Sequence, residues 1–188
     1  MSEAISALAG ASYDGYVKVR EAGLRGMITV RGDLSSAELK SAVTGVTGTD
    51  FPAARSISLA GEQGIAWMSP DELLVMMPYA KAAEVAKTLE TALKGSHALV
   101  ANVSDARVTF TVAGSGAREV LAKLTPADLR PGVMKPGEIR RSRFAQVAAA
   151  FWMINDTDFE VVSFRSTAQS AFDLLKTSAK PGGEVGLF

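Results

Sequence analysis

One strand–glycine–helix unit is written twice in this chain, and any fold must accommodate both copies. In the later copy Val108, Phe110 and Val112 alternate with Thr109, Thr111 and Ala113, a period of two that predicts a strand over 106–113 with one face on a core. Gly114 breaks the pattern, Ser115 is a candidate N-cap, and Ala117, Val120, Leu121 and Leu124 recur at helical spacing, so a helix is expected over about 115–124. In the earlier copy, Gly26-Met27-Ile28-Thr29-Val30-Arg31-Gly32 is a strand closed by glycine, and Ser35-Ser36-Ala37-Glu38-Leu39 opens a helix near 35–45.

The flanking segments extend both copies in the same order. Val17 to Glu21 predicts a short edge strand, and a Gly/Pro/Thr-rich connection runs from Gly45 to Gly64. Ile65–Met68 and Glu72–Met77 form a hairpin around Ser69-Pro70-Asp71, and a helix from Ala80 to Leu93 is ended by Gly95. The second copy begins with a strand at Ala98–Val103 and, after its helix, passes through a loop rich in Pro and Gly up to Gly137. Arg143–Met153 and Phe159–Phe164 make another hairpin around residues 155–158, and Ser166 is placed to cap a last helix reaching about Thr177. Val30-Arg31-Gly32 matches Val112-Ala113-Gly114 at an offset of 82, and Trp67-Met68 matches Trp152-Met153 at 85, so both tryptophans take one equivalent position. The expected class is α+β, with two pseudo-symmetric β-α-β-β-α repeats in one compact domain. The divisions are an irregular arm at 1–16, a first repeat at 17–96, a second at 97–178 and a tail at 179–188.

Charge and cysteine content narrow the function. Twenty Lys plus Arg balance twenty Asp plus Glu, so no net field draws phosphate backbones or anionic lipid, which argues against nucleic-acid and membrane partners. Zero net charge with 47% hydrophobic residues points to a surface covered by a partner, whether another subunit or a second copy in a homo-oligomer. There is no cysteine, which excludes disulfides, thiolate metal sites and cysteine nucleophiles. Glu3 stands where a signal peptide carries a basic residue, and no apolar run reaches membrane-spanning length; a cytoplasmic location is expected.

Candidate chemistry is sparse. Gly114-Ser115-Gly116 lies where a dinucleotide-binding turn would, but Glu119 occupies the place of the third glycine and would oppose a pyrophosphate, so a packing turn is the better reading. Ser104, Asp105 and His97, the one histidine, lack the glycine-flanked elbow of a nucleophile, and Asp105 reads as capping a turn or pairing with Arg107. The carboxylate pairs Asp71/Glu72 and Asp156/Asp158 sit in hairpin turns, so a metal site is not expected. Arg140, Arg141 and Arg143, with Lys135 before them, form the one basic cluster, either a solvated loop or a contact with an acidic patch on a partner. Leu187 and Phe188 end a tail with no regular pattern, a docking segment or a disordered end. Phe51, Trp67, Trp152 and Phe188 are candidate anchors, with core packing the expected role of the tryptophans.

Four segments together carry a family resemblance: Gly26-Met27-Ile28-Thr29-Val30-Arg31-Gly32-Asp33-Leu34; Trp67-Met68-Ser69-Pro70-Asp71-Glu72-Leu73-Leu74; Val103-Ser104-Asp105-Ala106-Arg107; and Gly114 with Ala117-Arg118-Glu119-Val120-Leu121-Ala122-Lys123 and Asp128-Leu129. The chain resembles the gamma subunit of heterotetrameric sarcosine oxidase from about residue 8 to 177. That family is similar to a reduced folate-binding aminomethyltransferase fold, in keeping with the internal repeat. The resemblance implies a subunit without chemistry of its own, packed on an alpha subunit that carries nicotinamide and folate sites. A beta subunit would carry FAD and share a covalent FMN with alpha, and a delta subunit would hold zinc. The whole enzyme would convert sarcosine to glycine, form peroxide and pass the one-carbon unit to tetrahydrofolate. No catalytic, cofactor or metal residue is then expected in this chain, and Arg140, Arg141, Arg143, Leu187 and Phe188 are the candidate partner contacts. The rival expectation is a stand-alone folate-binding protein of the aminomethyltransferase type.

Overall fold

The computed structural model describes residues 3–188. In chain order its strands are β1 (Ser12–Asp14), β2 (Lys18–Glu21), β3 (Arg25–Arg31), β4 (Ile57–Ala60), β5 (Gln63–Ser69), β6 (Glu72–Pro78), β7 (Leu99–Asn102), β8 (Arg107–Ala113), β9 (Ile139–Phe144), β10 (Val147–Met153) and β11 (Asp158–Phe164). The helices are α1 (Ala37–Thr47), α2 (Ala82–Ala92), α3 (Ala117–Ala122) and α4 (Ala168–Ser178). They divide between two compact units, Leu24–Ser104 and a discontinuous one made of the residues up to Gly23 with Asp105–Phe188.

The contiguous unit holds an antiparallel sheet in the order β4-β5-β6-β3-β7. Ile28, Val30, Ile65, Leu73, Val75 and Met77 point from it to one face, where they meet Leu39 and Val43 of α1 and Ala82, Ala86 and Leu89 of α2. The Ser36 hydroxyl accepts from the Leu39 N–H and so caps α1. In the discontinuous unit the order is β1-β2-β8-β11-β10-β9. There Val108, Phe110, Val112, Phe151 and Val161 meet Val120 and Leu121 of α3 and Phe172 and Leu175 of α4, and the rings of Phe144 and Phe151 stack at 5.5 Å. Both sheets also bury side chains on the opposite face: Met27, Ala66, Leu74 and Met76 in one, Thr109, Ala150, Trp152 and Val162 in the other. A strand buried on both faces needs apolar residues at successive positions, which is why 73–77 and 147–153 read as unbroken runs.

The α+β class and the two repeats stand, with one strand more in each: β-α-β-β-β-α. Edge strand β4 buries only Ile57, too little to show a period. Edge strand β9 carries the arginine cluster: Arg140 and Arg141, read as a loop, join a strand, and the single strand expected over Arg143–Met153 is broken by a turn at Ala145–Gln146 into the end of β9 and β10. Arginine on an edge is a common device against unwanted strand pairing.

Two strands also change places. β2 is not an edge: it pairs with β8, Arg20 opposite Thr111, while β1, inside the expected irregular arm, takes the edge. The first two residues of that arm lie outside the described residues. β7, assigned to the second repeat by sequence, pairs with β3, Thr29 opposite Ala101. Each sheet is thus completed by the strand that precedes the other repeat's first strand, and the units meet along the chain at 23/24 and 104/105 rather than at 16/17 and 96/97.

Three local expectations are corrected. Ser115 and Ser166 cap nothing, because α3 starts after Gly116 and α4 after Thr167, neither with a side-chain cap. The tryptophans are not equivalent. Trp67 stands opposite Leu73 on the helix-covered face, where Met153 stands opposite Phe159, so the structure matches Trp67 with Met153 and not with Trp152. Trp152 pairs with Glu160 on the other face and donates its indole N–H to that carboxylate at 3.0 Å. Val30 and Val112 do correspond, each facing helices.

Candidate functional site

The segment Ala117–Lys123 turns Ala117, Val120 and Leu121 into the core, which leaves Arg118, Glu119 and Lys123 beside them. Each of the three charged side chains fastens a different piece of irregular backbone. The Arg118 guanidinium donates to the carbonyls of Leu129 and Met134, contacts Met153 Sδ at 3.2 Å and lies 5.8 Å from the Phe159 ring. It therefore shapes the Pro/Gly loop before β9, which a Thr125–Ser142 hydroxyl pair at 2.8 Å also ties down.

Glu119, a buried carboxylate, accepts the N–H of Val185 at 2.8 Å on one oxygen and the N–H of Leu187 at 3.1 Å on the other. Gly186 between them has φ 64, a left-handed conformation that lets successive N–H groups converge on one anion. These backbone donors hold the Glu119 carboxyl below its ordinary pKa, against the opposing effect of burial and with help from Lys123. Lys123 Nζ donates to Tyr16 Oη and to the carbonyls of Ser178 and Gly183, all within 2.9 Å, and sits 3.7 Å from Glu119. The turn at Gly116 packs so tightly on the Tyr16 ring that an added Cβ would meet it at 2.5 Å. Glu21 does for the other end of the chain what Glu119 does here: its buried carboxylate accepts from the Ser6 hydroxyl and from the N–H groups of Leu8 and Gly10.

The candidate contact residues separate. Arg140 is turned inward onto the carbonyls of Val133 and Ile139 and the Glu138 carboxylate. Arg141 and Arg143 are exposed along β9. Leu187 and Phe188 are about half exposed, and Val185 is 66% exposed although its N–H is bound. Phe51 is half buried against the helix-facing core with Lys40 over its ring.

Ser104, His97 and Asp105 form no catalytic group. The Ser104 hydroxyl accepts from the Met27 N–H at 2.9 Å and donates to Asn102 Oδ1 at 2.6 Å, and His97 lies beyond the opposite end of β7. His97 instead lines an open depression of about 500 Å³ with Arg31, Asp33, Asp71 and Leu99. Its charged groups are taken: Arg31 pairs with Asp71, Asp71 also accepts from Ser69, and Asp33 accepts from the N–H and hydroxyl of Ser35. Among the described residues no three His, Cys, Asp or Glu side chains gather as a metal site would need, and no helix is long and apolar enough to cross a membrane. The roles of Arg118, Glu119 and Lys123 escaped sequence reasoning because their partners are backbone groups, which leave no signature of residue type.

The model of the sarcosine oxidase, gamma subunit family matches residues 31–180. The chain belongs to that family. The matched span runs from the end of β3 through α4 and includes the three charged residues of α3 and its C-cap. Comparison with curated proteins by sequence returns no match. Among solved structures the gamma-family chain is similar to a chain of heterotetrameric sarcosine oxidase from Corynebacterium sp. U-96 in complex with pyrrole 2-carboxylate, with a TM-score of 0.79 and 22% identity over 89% of this chain and 87% of that one. Aminomethyltransferase T of the glycine cleavage system from Bartonella henselae is also similar, with a TM-score of 0.60 and 16% identity over 84% of this chain. The gamma-family chain spans 45% of that protein's length, and the likeness is one of fold.

Proposed function

We propose that the chain is a non-catalytic gamma subunit of a multi-subunit sarcosine oxidase, and that its work is to stabilise the assembly by packing on the alpha subunit. The family match across 31–180 carries this reading. The side chains that could have supplied chemistry, Ser104, Asp33 and Asp71 among them, are engaged in internal hydrogen bonds, which supports a role in surface rather than reaction. On this reading FAD, FMN, NAD, tetrahydrofolate and zinc reside in alpha, beta and delta subunits, and the complex works in the cytoplasm. Arg141 and Arg143 contribute charged contacts at the rim of the interface, while Arg140 keeps β9 in shape.

The test is purification of the tagged chain from its host grown on sarcosine, with subunit identification, an absorbance scan for flavin and a peroxide assay. Co-purification with larger flavin-bearing subunits and sarcosine-dependent peroxide formation are expected. A chain that emerges alone and colourless yet binds tetrahydrofolate in calorimetry would replace this reading with that of a stand-alone folate-binding protein.

A further inference from the structure

We infer that residues 184–188 are a preformed docking strap, whose Val185, Leu187 and Phe188 side chains enter an apolar groove on another subunit of the oxidase. The inference rests on the assembly reading above and names the segment that does the docking.

Its ground is a mismatch between how this segment's backbone and its side chains are treated. The backbone is fastened at two of its N–H groups: Val185 and Leu187 donate to the two oxygens of Glu119, and Lys123 holds the carbonyls of Ser178 and Gly183 just before them. Both anchors come from the same short stretch around α3, and Tyr16 joins them through Lys123. Such fastening removes conformational freedom, and a segment normally gives up that freedom in order to bury side chains. Here the side chains are left out: Val185 is 66%, Leu187 54% and Phe188 46% exposed, three large apolar groups within four residues. Ordering the backbone without burying the side chains lowers the entropy lost on association, which is how a preorganised ligand gains affinity.

The chemistry of the segment specifies its occupant. With the N–H groups of Val185 and Leu187 committed to Glu119, the strap presents aliphatic and aromatic side chains outward. An apolar groove suits it. Its place is a larger subunit of the same oxidase, because the chain belongs to a family of oxidase subunits and the anchors lie within the residues that match that family.

The experiment titrates the purified full chain against the purified remaining subunits of the host's sarcosine oxidase, with calorimetric melting of each variant alone. Leu187→Ser combined with Phe188→Ser leaves the clamp intact; it is expected to weaken association at least tenfold while the melting temperature stays unchanged. Glu119→Ala is expected to weaken association to a similar extent and to speed amide exchange at 185–187. An intact chain that fails to associate at all would overturn the assembly reading itself. Association of the double variant with unchanged affinity would overturn the strap while leaving that reading in place. A concentration-dependent dimer of the isolated chain, abolished by the double variant, would also overturn it by assigning the strap to a second copy.

Discussion

Thr109 lies in the middle of β8, wholly buried, and its hydroxyl has no hydrogen-bond partner among the described residues. A buried hydroxyl without a partner carries a desolvation cost that a methyl group of the same shape does not. Thr109→Val is therefore expected to stabilise the chain by about 1 kcal/mol, read as a rise in melting temperature without change of the far-ultraviolet spectrum. Glu119 makes the opposite case, a buried charge whose hydrogen-bond donors favour ionisation more than burial opposes it. Its carboxyl titrates below the ordinary value of 4.5 because Val185 and Leu187 donate to it, with Lys123 close by. The free-strap state thus binds the proton more readily than the clamped one, so clamping strengthens as pH rises through this range. Protection of the amides at 185–187, measured against their intrinsic exchange rate at each pH, is expected to be full above about pH 4.5 and to be lost as the pH falls through the depressed value, while α4 stays protected. Glu119 stood in plain view in the sequence, but only as an obstacle to a phosphate; nothing in its neighbours announced that it would bind N–H groups of residues more than sixty positions away.

Among the elements, those whose sequence alternates between apolar and polar positions were the most legible. α1, α2 and α4 announce themselves by period, because one set of positions meets a core and the next does not, and β8 by the alternation of Val and Phe with Thr, although Thr109 is itself buried; β3, buried at five successive positions, shows only its closing glycine. β4 and β9 were missed for the reason that makes them edges: one buries a single residue, and the other carries three arginines where a buried strand would carry valine. The tryptophan match misled for a related reason, since a one-residue shift in a strand exchanges its two faces and rarity of residue type says nothing about register. The loop between α3 and β9 has no period at all, and its shape depends on Arg118 reaching two carbonyls. Arg118→Leu leaves those carbonyls without the charged donor and is expected to destabilise the chain by roughly 1.5–3 kcal/mol. Amide exchange concentrated at 129–135 would distinguish this from a general loss of the core.

At the scale of the whole molecule, the repeats were readable and their boundaries were not, because a strand's sequence records that it pairs but not with which neighbour. β2 and β7 each look like the opening strand of the repeat they precede, yet each pairs in the sheet of the other. Closing the β2–β8 pairing brings together residues as far apart as Arg20 and Thr111, whereas the Leu24–Ser104 sheet closes over shorter loops. In refolding followed by pulsed amide exchange, β3, β5 and β6 are expected to gain protection before β2 and β8. A ribosome imposes the same order more strictly. Residues 12–21 leave the exit tunnel before β8 has been made, and the whole of the intervening unit must be threaded out before β2 can find its seat. For that interval the nascent chain carries a short hairpin with an open edge, so its demand for chaperone cover should begin when residues 12–21 emerge and lapse once residue 113 is free.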